Sequence, residues 1–258
     1  MPSAPPAAGE VHVWSAGVAS AAVHAAALRA VLDAGERRRA DRFHFERDRT
    51  QYVVAHGLLR IVLGAYAQAP PAALRFVAGP FGKPALAVPR AGAARLAFNL
   101  SHSGDRVLIA VSCGADVGVD VERWRDIEHE ELAASFFSPA ECAELRALPP
   151  AERSRGFYAC WSRKEAYLKA LGIGIGRGLD FFDVTVTPDA APRVVSDRLS
   201  VENAGRWALH ALDAGVGYSA ALCTPSAVRR VRTFQIPADA GARPGFFASR
   251  PWAERATA

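Results

Sequence analysis

The apolar positions in residues 1–114 predict a lobe that opens with a strand, continues in helices and closes in short strands. Alternating residues mark the strands, and apolar residues between Val54 and Leu63 recur at the spacing of one helix face. Gly and Pro residues separate the later segments, which is typical of an antiparallel meander. The predicted elements are a strand at 10–14, an Ala-rich helix at 20–32, a basic helix at 36–43, a long helix at 46–66 and strands at 74–77, 85–88, 96–101 and 106–112.

The order of elements repeats in residues 115–225, which predicts a second lobe of similar plan. Ser138, Pro139 and Glu141 form the signature of a helix start, in which the serine and the glutamate cap free N–H groups. The predicted elements are a strand at 117–123, a helix from 138, a helix at 152–171 that ends at Gly172, and strands at 182–186, 207–212 and 217–223.

Together the two patterns predict an α+β fold of two similar lobes with antiparallel sheets, over residues 1–114 and 115–225. Residues 226–258, rich in Arg, Pro and Ala, are interpreted as a loose tail. A single mixed domain is the alternative, because the repeat lies in the order of elements and not in the residues themselves. The length of 258 residues suits either arrangement.

The composition indicates a globular protein of a reducing compartment. Hydrophobic residues make up 50% of the chain and charged residues 22%, and no run of eighteen apolar residues would cross a membrane. The first residues lack the basic and apolar regions of a secretory signal. The four scattered cysteines form no Cys-x-x-Cys pair, which fits buried thiols. They are Cys113, Cys142, Cys160 and Cys223. We therefore expect a cytoplasmic protein.

The net charge of +5 and the pI near 9.3 favour anionic partners such as nucleotides or acidic proteins. Much of the excess is Arg in an Ala- and Arg-rich chain, so genomic codon usage explains it equally well. We expect no nucleic-acid partner, because the chain has no recognition motif and no aromatic residues interleaved with its basic ones.

Two carboxylates follow each other on the strand VGVDVER at 117–123. Side chains on a strand alternate between faces, so Asp120 and Glu122 point the same way, opposite to Val117, Val119 and Val121. Two carboxylates this close repel each other, and a hard cation such as Mg²⁺ would relieve that repulsion. The alternative is a solvated polar face opposite an apolar one.

The helix at 152–171 carries a lysine in its apolar stripe. Phe157, Trp161, Lys164, Leu168 and Leu171 share one face at core spacing. A buried ammonium is costly unless it reaches an anionic partner. We therefore hypothesise that Lys164 pairs with an acidic group, for which the carboxylates of the proposed metal site are candidates, and shapes a functional site.

Two more charged residues lie beside that stripe, Glu165 at its edge and Lys169 one turn further on. An exposed Glu–Lys helix pair would explain these two residues but not Lys164. A functional site on this helix is the favoured interpretation.

The segment FNLSHSG at 98–104 runs from a strand into a polar turn. Ser101, His102 and Ser103 would offer hydroxyls, an imidazole and backbone N–H groups to a phosphate. A serine hydrolase is disfavoured, because G-x-S-x-G is absent. Upstream, Lys83 places a cation in the turn GPFGKP. A basic helix face comprises Arg37, Arg38, Arg39 and Arg42.

The chain resembles a known family through four motifs in series: FGKP at 81–84, FNLSHS at 98–103, VGVDVE at 117–122 and WSRKEAYLKALG at 161–172. Their order and spacing resemble the surfactin-type 4'-phosphopantetheinyl transferase family over about residues 36–176, and the lobe plan extends this to about 10–223. The resemblance implies a pseudo-dimer of two α+β lobes with coenzyme A in the cleft between them. It implies a Mg²⁺-dependent enzyme that moves the 4'-phosphopantetheine arm of coenzyme A onto a serine of an acyl- or peptidyl-carrier protein and releases 3',5'-ADP.

The resemblance implies roles for residues of the second lobe. Asp120, Glu122 and Glu165 look like the Mg²⁺ ligands, with the coenzyme A pyrophosphate completing the shell. Lys169 looks like the residue that steadies the pyrophosphate or protonates the leaving 3',5'-ADP.

Coenzyme A contacts are implied upstream. Lys83 and Pro84 resemble the family's adenine-side contacts, and Ser101 and His102 its phosphate contacts. Arg39 falls where the family has a basic residue near the 3'-phosphate of coenzyme A. One departure stands on the long helix, where relatives often carry a threonine and this chain has Tyr52, which puts phosphate binding through that helix in doubt.

The implied reaction is attack of a carrier serine on the β-phosphorus of coenzyme A, with Mg²⁺ neutralising the oxygens where charge builds. Either Glu165 or a metal-bound water would take the serine proton. A non-catalytic coenzyme A- or nucleotide-binding module is one alternative, and a Mg²⁺-dependent phosphohydrolase is another. We expect a monomer that binds no membrane, and the sequence leaves the choice among fatty-acid, polyketide and non-ribosomal peptide carriers open.

Overall fold

A computed structural model describes residues 5–79, 81–87, 95–174, 176 and 178–242. The chain divides into two compact units. The described residues of the first belong to Met1–Val77, Pro84–Gly114 and Arg230–Ala258, and those of the second to Ala78–Lys83 and Ala115–Arg229.

The elements confirm a mixed α+β fold. Up to residue 113 they are β1 (Glu10–Gly17), α1 (Val18–Ala22), α2 (Ala25–Ala30), α3 (Ala34–Asp41), α4 (Glu46–Ala67), β2 (Phe76–Ala78), β3 (Pro84–Leu86), β4 (Leu96–Ser103) and β5 (Arg106–Cys113). Thereafter they are β6 (Gly118–Arg123), α5 (His129–Phe136), α6 (Pro139–Ala147), α7 (Pro150–Leu171), β7 (Phe182–Val184), β8 (Val194–Asp197), α8 (Asn203–Arg206), β9 (Trp207–Ala211), β10 (Tyr218–Pro225) and β11 (Arg230–Gln235).

The first unit is built on a four-stranded sheet in the order β11-β1-β5-β4. β5 is antiparallel to both β1 and β4, whereas β1 and β11 are parallel. The long helix α4 buries most of its residues in one core with side chains of the sheet, among them Trp14, Ile109 and Phe234. Burial on nearly every side of α4 explains why its sequence is apolar over so many consecutive positions.

The prediction of a loose tail over 226–258 is wrong for residues 230–242. Residues 230–235 form β11 and pair in parallel with residues 10–15 of β1, and a 3₁₀ turn follows at Ala238–Ala242. The physical reason is burial, since Phe234 is 2% exposed and stacks on Trp14 at a ring-centroid distance of 4.7 Å. Residues 243–258 lie outside the described residues.

The second unit is built on a three-stranded antiparallel sheet in the order β6-β10-β9, with α7 packed on β6 and β10. β7 and β8 form a separate antiparallel pair. The start of α6 confirms the predicted capping box, in which Ser138 and Glu141 each accept the other's backbone N–H. Helix α7 ends where Gly172 adopts a left-handed conformation (φ 70°).

Several boundaries differ from those that the sequence predicts. The Ala-rich helix at 20–32 is instead two short helices, α1 and α2, separated at His24. The helix α5 and the strand β8 were not predicted, and the strand predicted at 85–88 is observed at Pro84–Leu86, with residue 88 outside the described residues.

The cysteines and the helices bear on the expected environment. All four cysteines are free thiols, three of them buried and Cys113 half-buried. Within the described parts of the chain, the helices lack the combination of length and apolar composition needed to cross a membrane.

Candidate active site

Gly118 permits an unusually close approach of the strand β6 to the helix α7. A Cβ atom on Gly118 would lie 2.0 Å from the carbonyl oxygen of Ala166 and 2.3 Å from the backbone nitrogen of Ala170. The two backbones are therefore separated by no side chain at this point. Because residues two apart on a strand share a face, Asp120 is directed toward α7 as well.

Asp120 and Lys169 form an ion pair across this contact, with 2.6 Å between Oδ1 and Nζ. Asp120 is 2% exposed, so the interpretation of this strand face as solvated is wrong at Asp120. Burial alone would lower the pKa of Lys169, but the Asp120 charge and hydrogen bond raise it above its ordinary value. Lys169 is therefore a cation at neutral pH.

Glu165 lies in the same electrostatic environment, on the same helix as Lys169. Burial, together with the negative charges of Asp120 and Glu122, raises the pKa of Glu165 from 4.5 to about 7 against the lowering effect of Lys169. The three carboxylates predicted as metal ligands are thus coupled to one another. Their shared negative charge makes the ionised form of Glu165 costly unless another cation is present.

The chemistry of this donor set fits a hard divalent cation, since Mg²⁺ is bound through carboxylate oxygens. Among the residues that the structure describes, however, no three His, Cys, Asp or Glu side chains are gathered closely enough to hold a metal ion. Asp120 is engaged by Lys169 instead. The ligand set Asp120, Glu122 and Glu165 stays a prediction, supported by its charge rather than by an assembled site.

Helix α7 contributes two charged residues, Glu165 and Lys169, from a partly buried stripe. Trp161, Glu165 and Lys169 recur every four residues, and each is only partly buried, while Lys164 and Leu168 are fully buried. Trp161 is only partly buried, but it packs against the core as its spacing predicted, with 5.7 Å between the ring centroids of Trp161 and Phe157.

The structure confirms that Lys164 has an acidic partner. That partner is Glu141 and not one of the carboxylates predicted as metal ligands. Its ammonium lies 2.6 and 2.7 Å from the two carboxylate oxygens of Glu141 and donates to the carbonyl oxygen of Phe182 at 2.7 Å. Lys164 therefore holds the start of α6 and the strand β7 against α7.

Lys83 and Pro84 were predicted to contact the adenine side of coenzyme A. The structure places the Lys83 ammonium on two carbonyl oxygens of the second unit, 3.0 Å from that of Val117 and 3.3 Å from that of Ala170. Lys83 thus joins the start of β6 to the last turn of α7, where a cation is favourable. Pro84 is exposed at the first position of β3.

Ser101 and His102 lie in the first unit, on the strand β4 and not in the turn that follows it. They pair with Leu108 and Val107 of β5, so the expectation that this segment is a tight turn is wrong. The hairpin turns at Gly104, whose carbonyl oxygen accepts a hydrogen bond of 2.9 Å from the Gln51 side chain of α4. This bond places the hairpin end near the first turns of α4.

Arg39 is exposed on α3, and its guanidinium lies over the ring of Tyr52 at 5.7 Å from the centroid. Tyr52, which the sequence marked only as a departure, therefore contacts a predicted coenzyme A ligand. Gly118 was also missed, although a glycine that interrupts a run of valines signals a close backbone approach.

Two family descriptions match adjacent segments of the chain. Residues 18–114 match "4'-phosphopantetheinyl transferase, N-terminal", and residues 116–223 match "4'-phosphopantetheinyl transferase superfamily".

Curated relatives include 4'-phosphopantetheinyl transferase HetI of Nostoc sp., 35% identical over 78% of this chain and 81% of the relative. A phosphopantetheinyl transferase of Thraustochytrium sp. is 36% identical over 72% of this chain and 68% of its own. The 4'-phosphopantetheinyl transferase Sfp of Bacillus subtilis is 32% identical over 60% and 66%.

Proposed function

Because this chain belongs to the 4'-phosphopantetheinyl transferase superfamily, we propose that it moves the phosphopantetheine arm of coenzyme A onto a carrier-protein serine at the charged cluster of β6 and α7. Transfer to carrier proteins is the activity of the superfamily. The part played by Mg²⁺, the release of 3',5'-ADP and the roles of individual residues are proposed from the resemblance of the four motifs to that family. The four motifs support a place in the surfactin-type branch, acting on acyl- or peptidyl-carrier proteins.

The observation that carries the proposal is the coupling of Glu165 to the Asp120–Lys169 pair. Glu165 lies beside a buried carboxylate and a charged lysine, where burial and the charges of Asp120 and Glu122 oppose its ionisation. Such a cluster favours a bound cation and places a proton acceptor beside it. A protein that only binds coenzyme A needs no such arrangement. The site therefore favours the enzyme over the non-catalytic module.

The reaction forms a bond between the serine oxygen and the β-phosphorus and breaks the bond from that phosphorus to the oxygen of 3',5'-ADP. We assign acceptance of the serine proton to Glu165. Lys169 donates to the pyrophosphate or to the leaving oxygen, since its ammonium is held at the cluster by Asp120. Ser101, His102, Arg39 and the turn of Lys83 and Pro84 are assigned to the coenzyme A donor.

Asp120, Glu122 and Glu165 would hold Mg²⁺ through their carboxylate oxygens. When bound, Mg²⁺ supplies positive charge for the pyrophosphate oxygens, on which negative charge builds during transfer. We further propose that the protein acts as a monomer in the cytoplasm.

The proposal is tested by incubating the protein with coenzyme A, Mg²⁺ and a panel of apo-acyl- and apo-peptidyl-carrier proteins. Mass spectrometry should show that a carrier gains one phosphopantetheine group, and chromatography should show an equal amount of 3',5'-ADP. Chelation of the metal with EDTA should stop both, and added Mg²⁺ should restore them. Free phosphopantetheine without a modified carrier would instead identify a phosphohydrolase and overturn the proposal.

A further inference from the structure

The helices α3 and α4 face each other through charged and aromatic side chains. On α4, Tyr52, His56 and Arg60 follow each other every four residues and so share one face. The partners are contributed by α3 and by the residue that caps it. They are Arg39 for Tyr52, Glu36 for His56, and Glu36 with Asp33 for Arg60.

One end of this contact is rigidly held. Arg60 is fully buried, and its guanidinium donates to Glu36 at 2.6 Å and to Asp33 at 2.7 Å. It also donates to the carbonyl oxygens of Pro71 and Leu74, both at 3.1 Å. Because Asp33 and Glu36 form the capping box of α3, Arg60 fixes the start of that helix on α4.

The other end depends on an aromatic ring. Tyr52 is 5% exposed, and its ring stacks on that of His56 with centroids 4.0 Å apart and planes at 26°. His56 in turn faces Glu36, with 3.5 Å between Nδ1 and Oε1. The ring of Tyr52 is therefore held by the ring of His56, and the guanidinium of the exposed Arg39 lies over the Tyr52 ring.

We propose that Tyr52 is a positioning residue for coenzyme A, which holds Arg39 in place for the 3'-phosphate through a cation–π contact. This rests on the proposed function, which assigns Arg39 to that phosphate. A free arginine side chain loses rotamer entropy on binding a phosphate. Holding the guanidinium beforehand removes part of that cost and strengthens donor binding.

Two neighbouring features support this role. Arg37, on the same helix, is turned back to the carbonyl oxygen of Leu32, so its guanidinium is engaged with the backbone. Gln51, next to Tyr52, binds the end of the hairpin that carries His102. The first turns of α4 thus contact both elements that carry a predicted phosphate contact, α3 with Arg39 through Tyr52 and the hairpin with His102 through Gln51.

The test compares kcat and KM for Tyr52→Leu and Tyr52→Phe with coenzyme A and with 3'-dephospho-coenzyme A as donors. A cation–π contact at an exposed site is worth about a two- to fivefold change in binding. Tyr52→Leu should raise KM for coenzyme A by that factor, with little change in kcat or in the use of the dephospho donor. Tyr52→Phe, which keeps the ring, should remain within about twofold of the unchanged protein.

Ring electronics can be tested without removing the ring. Phenylalanines of increasing fluorine content at position 52 keep the shape while weakening the negative face of the ring. KM for coenzyme A should rise steadily along that series. A KM that does not follow the fluorine content, or a Tyr52→Leu variant with unchanged donor discrimination, would overturn the proposal.

The variant Arg39→Ala tests the assignment of Arg39 to the 3'-phosphate separately from the role of Tyr52. Arg38→Ala is the control, because Arg38 is also an exposed arginine of α3. If Arg39→Ala loses discrimination between the two donors and Tyr52→Leu keeps it, the positioning role is wrong while the donor assignment stands. If Arg39→Ala itself keeps discrimination, the assignment of Arg39 is wrong. Carrier modification with either donor reports the enzyme activity independently.

Discussion

Lys164 and Glu141 form a buried ion pair, in which the ammonium nitrogen lies 2.6 and 2.7 Å from the two carboxylate oxygens. Lys164 is 0% exposed and Glu141 2% exposed. The same carboxylate accepts the backbone N–H of Ser138 and of Val184, at 2.9 and 2.8 Å. One side chain therefore satisfies donors from α6, α7 and β7.

Lys164→Met should destabilise the second unit strongly, because it leaves the Glu141 carboxylate buried without its cation. Removing one member of a buried pair costs about 3–5 kcal/mol in the free energy of unfolding. Urea unfolding followed by circular dichroism measures this. Arg153→Met is the control, since its partner Glu130 is exposed and such pairs are worth about 1 kcal/mol or less. Equal losses in the two variants would contradict a structural role for Lys164.

Gly118→Ala should separate β6 from α7 and reduce both stability and transfer. The added Cβ would meet backbone atoms of α7 at 2.0 and 2.3 Å, and backbone cannot rotate away as a side chain does. Overpacking of this kind costs about 1–3 kcal/mol or more. Gly205→Ala serves as the control, because nothing lies within 4 Å of a Cβ there. A Gly118→Ala protein with unchanged thermal unfolding and activity would show that the approach is not needed.

Loss of any one of the three carboxylates predicted as metal ligands should reduce the transfer rate nearly as much as loss of all three. Asp120→Ala, Glu122→Ala and Glu165→Ala should each nearly abolish transfer, and combining them should add little, because all three are assigned to one metal. Transfer rates are measured at saturating Mg²⁺, with far-UV circular dichroism as the control for folding. Normal activity in one variant removes that residue from the ligand set.

The 3'-phosphate of coenzyme A should be sensed by the first unit. It does not react, so its contacts should lower KM more than they change kcat. Arg39→Ala and His102→Ala should lower kcat/KM about tenfold with coenzyme A and less with 3'-dephospho-coenzyme A. Lys83→Ala should be the least selective, since its ammonium binds carbonyl oxygens. Measurements need one fixed salt concentration. Equal losses with both donors would reject the assigned donor orientation.

Asp183 should contribute stability that acid removes. Burial raises its pKa, but hydrogen bonds from Arg198, Ser138 and Ser196 outweigh this and lower the pKa from 3.8 to about 2. Because the folded pKa is depressed, the contribution is fully present above about pH 4 and is lost as the pH falls toward 2. It amounts to about 2 kcal/mol.

Asp183→Asn should therefore lower the free energy of unfolding by about 2 kcal/mol at pH 7 and flatten its dependence on pH between 4 and 2. Urea unfolding across this range measures both effects. Asp189→Asn is the control, since Asp189 pairs with Arg155 at an exposed position. The same pH profile in both variants would refute the prediction.

Local signals predicted much of the fold. The capping box of Ser138 and Glu141 placed the start of α6 correctly, because both halves of the motif lie within four residues. The burial of Lys164 showed that it needed an acid, but not which one, since Glu141 lies 23 residues away along the chain. A buried charge reveals the need for a partner, and only the packing of α6 on α7 supplies it.

Long-range pairing and backbone proximity account for most of the rest. The strand β11 looked polar because Arg230 and Arg232 alternate with apolar residues, and its partner β1 lies at the other end of the sequence. The chemistry of the carboxylates was apparent from the spacing of Asp120 and Glu122. Their coupling to Lys169 depends on Gly118, where the informative feature is an absent side chain.

The pairing of β1 with β11 has a consequence for how the protein is made. A ribosome synthesises residues 10–17 early, but the parallel neighbour of that strand, residues 230–235, emerges only after the main segment of the second unit, residues 115–229. Until β11 has been made, one edge of β1 in the nascent first unit has no neighbouring strand. Open strand edges pair readily with other chains. The unit that is begun first is thus completed last, and the edge of β1 stays open to other chains while residues 115–229 are made.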